Sequence, residues 1–329
     1  SHEAGGRTYL YLTAPHGLFK GELTQNGDQR SIEALQPLHG LGGSAGLPEP
    51  QYLEGCKVVV DDQRPGRIYL TVGNQADQQG GVYRSEDYGT PFELLTDPHG
   101  YHPLGLGQNN TRFCEFVISP LNPSVLYACI VRYTVEGEKR NGTLMRSEDD
   151  GLTWQPMMLF ENMTTGWKNH SARPNLFSVN RIAPSHVEES VFYASNGGGS
   201  HLYRSDDATA ENPTWIVIST GQERNGQWSG GYPAIAFPWS IAVNPFDPDM
   251  VIVPYGDHGI FVSESGGQSM DLRVKHGPDG LCETLGGTLV VDEIDPSIWY
   301  YALQGPHMKV SNTNSEGAVM KIVGSGSSW

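Results

Sequence analysis

Imidazole is the residue type whose placement in this chain first suggests chemistry. Of the eleven histidines, His16, His201, His258 and His307 open or immediately precede a short recurring run of apolar, aromatic and basic residues. His39, His99, His102, His170 and His276 fall in long connecting stretches. Imidazole is both the commonest metal ligand and a base poised near neutral pH. Asp257-His258 and Pro306-His307, with His16 and His201 behind them, are therefore candidate ligands for a divalent metal such as Zn, Mn or Ca. No short motif fixes a ligand spacing, and imidazoles populating exposed loops is the plainer reading. Nothing in the sequence calls for a nucleotide or organic cofactor.

The same stretches are rich in flat rings and hydrogen-bonding groups. Tyr101, Asn109, Trp167, Lys168, Asn175, Trp228, Tyr232 and His276 make a plausible sugar-binding set, because aromatic faces stack on sugar rings while amide and cationic groups bond hydroxyls. Trp239 is expected to pack instead. Two reactions suit such a cleft. A β-elimination on a uronate polysaccharide needs a cation to neutralise the carboxylate and a base for the C5 proton. His102 or His170 would be the base, Tyr101 or Tyr232 the acid, and Arg173 or Arg112 the neutralising group. Hydrolysis needs two carboxylates facing each other across the scissile bond. Asp97, Glu161, Glu223, Asp257, Asp279 and Glu283 are available, with no pair singled out. The elimination is the leading expectation, with a non-catalytic glycan-binding, receptor or assembly role and a hydrolase as the alternatives.

Composition narrows the partners. Twenty-one Lys and Arg stand against 37 Asp and Glu, a formal charge of −16. Such a surface repels phosphate backbones and anionic lipid, so nucleic acid and membranes are excluded as expected partners. No apolar run approaches the ~20 residues that span a bilayer. The 41 glycines and 22 prolines are too many turn-formers for a helical bundle. Asn-x-Ser/Thr triplets begin at Asn109, Asn141, Asn162 and Asn169, which favours an extracellular setting. Four cysteines without a CxxC spacing make neither a zinc knuckle nor a redox dithiol. Cys114 and Cys129 flank Pro120-Leu121-Asn122-Pro123 almost symmetrically, so a cross-strand disulfide and a pair of buried thiols both stay open.

The elements that must position these residues show as a repeat. Gly17-Leu18-Phe19-Lys20, Gly81-Val82-Tyr83-Arg84-Ser85, Thr143-Leu144-Met145-Arg146-Ser147 and His201-Leu202-Tyr203-Arg204-Ser205 share one pattern, with weaker copies at Gly259–Ser263 and His307–Ser311. Pro/Asp turns such as Asn122-Pro123-Ser124 and Asp295-Pro296-Ser297 precede most copies, each between two apolar β-rich runs. Each unit reads as four strands, A to D, with the recurring run as strand C. The expected architecture is all-β: a single 1–329 β-propeller domain of six or seven four-stranded antiparallel blades. In the first unit Tyr9-Leu10-Tyr11-Leu12 is strand B, with no strand A before it. Ile322-Val323 and the last residues are left to close the ring.

Ser147-Glu148-Asp149-Asp150-Gly151-Leu152-Thr153-Trp154 carries a family resemblance. It is similar to the Asp-box, or bacterial neuraminidase, repeat. Ser85–Phe92 is a good copy, Ser205-Asp206-Asp207 reaches Thr214-Trp215 after an insertion, and Ser263–Gly267 is degenerate. The chain thus resembles the Asp-box propellers, a group that includes sialidases, xyloglucan-active glycosidases, sortilin-type receptors and polysaccharide lyases. Lyases of that kind use His and a bound divalent metal, as the elimination expectation would require. Arg181-Ile182-Ala183-Pro184 only superficially matches the sialidase Arg-Ile-Pro element, since it occupies an ordinary strand A slot. Because strands alternate in direction, the short A–B and C–D turns share one end of the blades. The B–C and D–A connections, with nine of the eleven histidines, share the other. Long D–A insertions near Gln36–Gly55, Asp97–Thr111, Phe160–Phe177, Thr220–Phe237 and Lys275–Gly286 make that end the expected binding face.

Overall fold

Short, continuously apolar runs of four to six residues, punctuated by Pro, Asp and Gly, dictate short antiparallel strands buried on both faces, as in Ile68–Val72 and Gly259–Ser263. That is what the computed structural model contains. It describes residues 2–4, 7–14, 17–26, 29–33, 35–38, 57–72, 81–95, 113–135, 138–157, 163–164, 179–196, 202–218, 220–222, 228–230, 238–255, 259–274, 287–303 and 318–324. Among the described residues there is no α-helix. Six blade sheets follow one another in a β-propeller fold, three in each of two compact units, Ser1–Pro156 and Met157–Trp329.

In the first unit, blade one comprises β1 (His2–Ala4), β2 (Arg7–Ala14), β3 (Gly17–Asn26), β4 (Gln29–Ile32) and β5 (Gln36–Pro37). Blade two is β6 (Lys57–Val60), β7 (Ile68–Val72), β8 (Gly81–Ser85) and β9 (Glu93–Leu94). Blade three is β10 (Phe113–Ile118), β11 (Leu126–Val135), β12 (Glu138–Ser147) and β13 (Gln155–Pro156). The second unit opens with β14 (Met163–Thr164), which adds in parallel to the outer edge of blade four. That blade is β15 (Val179–Pro184), β16 (Phe192–Asn196), β17 (Leu202–Ser205) and β18 (Trp215–Val217). A separate hairpin, β19 (Thr220–Gln222) and β20 (Trp228–Gly230), fills part of the next insertion. Blade five is β21 (Ala242–Asn244), β22 (Asp247–Tyr255), β23 (Gly259–Ser263) and β24 (Asp271–Val274). Blade six is β25 (Leu289–Val291), β26 (Ile298–Leu303) and β27 (Ala318–Val323).

Three sequence expectations are corrected. A short strand A does precede the first blade's strand B, since β1 pairs with β2 from His2↔Tyr9 to Ala4↔Arg7. In the last blade the strand beside β26 is Ala318–Val323, not His307–Ser311, which lies outside the described residues. Third, a register shift between Phe113 and Glu115 places Glu115, not Cys114, opposite Cys129. Cys129 is a buried thiol outside any disulfide.

The cores lie between blades. Tyr69 and Val82 of blade two pack on Phe116, Leu126, Met145 and Trp154 of blade three. Tyr193 and Leu202 of blade four meet Val243, Val251 and Tyr255 of blade five. Ile252, Ile260 and Val262 of blade five in turn meet Trp299, Tyr301 and Ile322 of blade six.

The C–D turns are built from their own side chains. Ser147 Oγ accepts from the Gly151 amide at 2.9 Å and donates to Asp149 Oδ1 at 2.8 Å, and Asp149 also accepts from the Thr153 amide and hydroxyl. Asp207 grips Thr214 in the same way across the insertion. The turn at Ser263–Gly267 keeps this geometry although its sequence is worn. Ser263 Oγ accepts from Gly267, and Ser265 replaces the aspartate by accepting from the Ser269 amide. Gly267 has φ +89°, and a Cβ there would lie 2.3 Å from Ile218 Cδ1, so only glycine closes the turn against its neighbour.

The basic residue of the repeat also acquires a purpose. Tyr11↔Lys20, Tyr69↔Arg84, Tyr127↔Arg146, Tyr193↔Arg204 and Tyr300↔Lys321 are directly opposed cross-strand pairs. Where both neighbouring blades belong to one unit, these pairs reach the following blade's turn. Tyr11 Oη and Lys20 Nζ donate to the Tyr88 carbonyl at 3.2 and 3.1 Å. Tyr193 Oη donates to the Pro248 carbonyl at 2.8 Å, and Arg204 bonds Asp249 at 2.6 Å. Arg64 joins the Asp61 carboxylate of its own turn to Asp150 of the next blade.

Burial, the largest single influence on Asp149 and Asp207, pushes both carboxyls up. The Ser and Thr hydrogen bonds nevertheless hold them below the ordinary 3.8, and Arg64 and Arg67 do so for Asp150. A depressed folded-state pKa gives stability that is present above the unfolded value and lost as pH falls through the folded one. The melting temperature should therefore begin to fall below about pH 4. Asp149→Asn, compared by scanning calorimetry from neutral pH downward, should start lower and fall less steeply.

Candidate functional site

Strand direction delivers the B–C and D–A connections to one end of each blade. In blade three this end is extended. Pairing of β10 with β11 stops at Ile130, while β11 and β12 continue from Arg132↔Asn141 to Val135↔Glu138. Four further residue pairs at ~3.3 Å each carry the hairpin about 13 Å beyond the shared sheet. Its backbone register brings Tyr133 opposite Arg140 and Thr134 opposite Lys139, a cationic arm on an acidic chain.

In the second unit the corresponding end of blades four and five has a defined polar rim. Arg181 is directly opposite Ser195 in the β15–β16 ladder, and its Nε donates to the Trp239 carbonyl at 2.5 Å. Trp239 is half-buried, and its amide donates to the Pro254 carbonyl at 2.9 Å. Pro238 forms a bridge with Tyr255, whose ring meets Phe261 edge-on at 5.5 Å. Ser195 Oγ and Trp239 Nε1 are buried and have no hydrogen-bond partner among the described residues. An unsatisfied buried donor costs about 1–3 kcal/mol, so these two groups are the polar capacity the fold leaves unused at this rim. Sequence reading passed over Ser195 and took Arg181 as framework. The register opposition of the two was the missing signal.

The catalytic candidates His102, His170, Tyr101, Tyr232, Arg173 and Arg112 lie outside the described residues, as do Asn109, Trp167, Lys168, Asn175 and His276. So do the metal candidates His16, His201, His258, His307 and Asp257, and the six acids Asp97, Glu161, Glu223, Asp257, Asp279 and Glu283. Trp228 alone is placed, at the start of β20 opposite Gln222. Among the described residues no three His, Cys, Asp or Glu side chains gather as a metal site. The structure thus shows the strand ends that carry the insertions and the register of the Thr220–Gly230 hairpin.

No protein-family model matches the chain. A xyloglucanase from a Paenibacillus species is 26% identical over 192 residues, covering 54% of this chain and 17% of that protein. A xyloglucanase from Hypocrea jecorina (strain QM6a) is 24% identical over 131 residues, 39% of this chain and 14% of that protein. Xyloglucanases are among its relatives. The chain spans less than a fifth of the length of either. Among solved structures, the Niastella koreensis GH74 enzyme superposes with a TM-score of 0.53 and 17% identity, covering 89% of this chain and 42% of that one. A luciferin-regenerating enzyme gives 0.54 and 12% identity over 98% and 90%. These structural likenesses establish the fold alone.

Proposed function

We propose that this chain is a secreted carbohydrate-active propeller that hydrolyses glycosidic bonds in a xyloglucan-like polysaccharide at the end of the blades carrying the B–C and D–A connections. The sequence relationship to two xyloglucanases, extending over 54% of the chain in one case, is the observation that carries this reading. It supports the hydrolase alternative over the elimination that the histidines suggested. Hydrolysis requires neither a uronate carboxylate nor a metal to neutralise it. One carboxylic acid protonates the leaving oxygen, and a second carboxylate attacks the anomeric carbon or activates water. The six acids of the D–A and B–C connections supply this pair, while Trp167, Trp228, Tyr101 and Tyr232 provide stacking surfaces.

Incubation with xyloglucan and, separately, with uronate polysaccharides tests the proposal. New reducing ends from xyloglucan, without the ultraviolet absorbance of an unsaturated product, are the expected outcome. Unsaturated product from the uronate polymers would replace hydrolysis by elimination. Binding without turnover would replace it by a lectin role.

A further inference from the structure

The A–B turns, read from the sequence as plain architecture, share a feature that architecture does not need. Each is capped by its first side chain. Ser185 Oγ accepts from the Val187 and Glu188 amides at 3.2 and 3.1 Å. Asn244 Oδ1 accepts from Phe246 at 2.8 Å, and Asp292 Oδ1 accepts from Ile294 and Asp295, both at 2.9 Å. The cap fixes the backbone of the third turn residue, and in all three turns of the second unit that residue is apolar and exposed. Val187 is 47% exposed, Phe246 58% and Ile294 91%. A lone exposed apolar side chain is ordinary. Three at the same position of consecutive turns make a patch.

Packing at this end of the blades brings neighbouring turns together. Tyr193 Oη of blade four donates to the Pro248 carbonyl in the blade-five turn at 2.8 Å, and Met250 and Val291, which flank the blade-five and blade-six turns, pack against one core cluster. Burial lowers the pKa of His186, beside Val187, yet Glu293, beside Ile294, pulls it up, so the outer two turns lie within electrostatic reach of each other. Charge on the turns themselves has one sign, with Lys321 of the neighbouring strand within electrostatic reach of Asp292. The segments 185–190, 244–249 and 292–297 hold Glu188, Glu189, Asp247, Asp249, Asp292, Glu293 and Asp295, and no Lys or Arg. Of these, Asp249 is committed to Arg204.

We infer that this end of the second unit is a docking surface for a cationic polypeptide segment that carries apolar anchors, the apolar tips taking the anchors and the carboxylates the Lys and Arg between them. The acidic surround disfavours anionic lipid and nucleic acid as occupants. The surface is at the opposite end of the blades from the proposed glycan site and does not depend on that proposal.

A fluorescent peptide of Gly-Leu-Lys repeats, titrated into the full chain by anisotropy, is the probe. Gly-Leu-Glu and Gly-Ser-Lys repeats are the controls. The Leu/Lys peptide should bind, added salt should weaken it, and the combined Val187→Ser, Phe246→Ser and Ile294→Ser substitutions should raise its Kd at least about tenfold. Leu12→Ser with Ile32→Ser, equally exposed positions of blade one, should leave it unchanged. Equal binding of the Glu peptide, binding unaffected by the triple substitution, or no binding at all would each overturn the inference. So would a concentration-dependent self-association that the triple substitution abolishes, since the occupant would then be a second copy. Circular dichroism melting shows whether the variant is folded, and Phe246→Ser alone should give an intermediate Kd.

Discussion

Replacing Trp215 by Ala is expected to cost about 3–5 kcal/mol of stability, the range for a large aromatic deleted from a packed core. Trp215 is wholly buried. Its Nε1 donates to the Met157 carbonyl at 3.0 Å, and its ring meets Phe192 edge-on with centroids 6.0 Å apart. The truncation therefore removes packing, an aromatic contact and the partner of a buried carbonyl together. Position 215 is held independently of the ring, because Thr214 is bonded to Asp207 through both its amide and its hydroxyl. The backbone cannot collapse freely into the space, which keeps the cost toward the upper part of the range. Trp215→Phe keeps most of the apolar volume but strands the Met157 carbonyl, at about 1–3 kcal/mol. Urea unfolding followed by far-ultraviolet dichroism checks both values. A loss below about 1 kcal/mol for Trp215→Ala would show that blade four does not rest on this ring.

The contrast between what could and could not be read beforehand follows the range of the interactions. The Ser–Asp–Gly turns were legible because their hydrogen bonds close within a few residues. Even Ser263–Gly267, where the aspartate is lost, keeps the geometry through Ser265. The tyrosines opposite Lys20 and Arg204 are not legible as a pattern because their acceptors, the Tyr88 and Pro248 carbonyls, belong to another blade. Pairing Tyr69 with Arg84 needs a register that spacing alone does not fix. The last strand was misplaced because His307-Met308-Lys309-Val310-Ser311 imitates the recurring run. Ala318–Val323 carries the stronger signal, burying Met320 and Ile322 while exposing Val319, Lys321 and Val323. The Cys114–Cys129 opposition failed by one residue at a bulge, which is enough to break a pairing. The site was least legible. Its candidates stand in insertions that follow no period, so their residue types could be read but not their juxtaposition.

The proposed hydrolase makes a second large effect expected. Amide substitution of Asp97, Glu161, Glu223, Asp257, Asp279 and Glu283, one at a time, should divide the six sharply. Two variants should lose about 10²–10⁴-fold in kcat on xyloglucan, the usual contribution of a positioned acid or base. The other four should stay within a few-fold. The two sensitive positions should also respond differently to added azide. At the nucleophile or base position a small anion can replace the missing carboxylate and restore turnover, whereas at the acid position it restores turnover only for substrates whose leaving group needs no proton. A retained azide product from the acid-position variant reports a covalent intermediate and a pair ~5–5.5 Å apart, whereas its absence there fits the ~6.5–9.5 Å of inversion; at the other position azide inverts in either case. The carboxyl that protonates the leaving oxygen acts only in its protonated form. Its titration should appear as the alkaline limb of the pH–rate profile, and that limb should vanish in the acid-position variant. Six near-neutral substitutions would remove these carboxylates from the mechanism, and with them the hydrolase proposal for this chain.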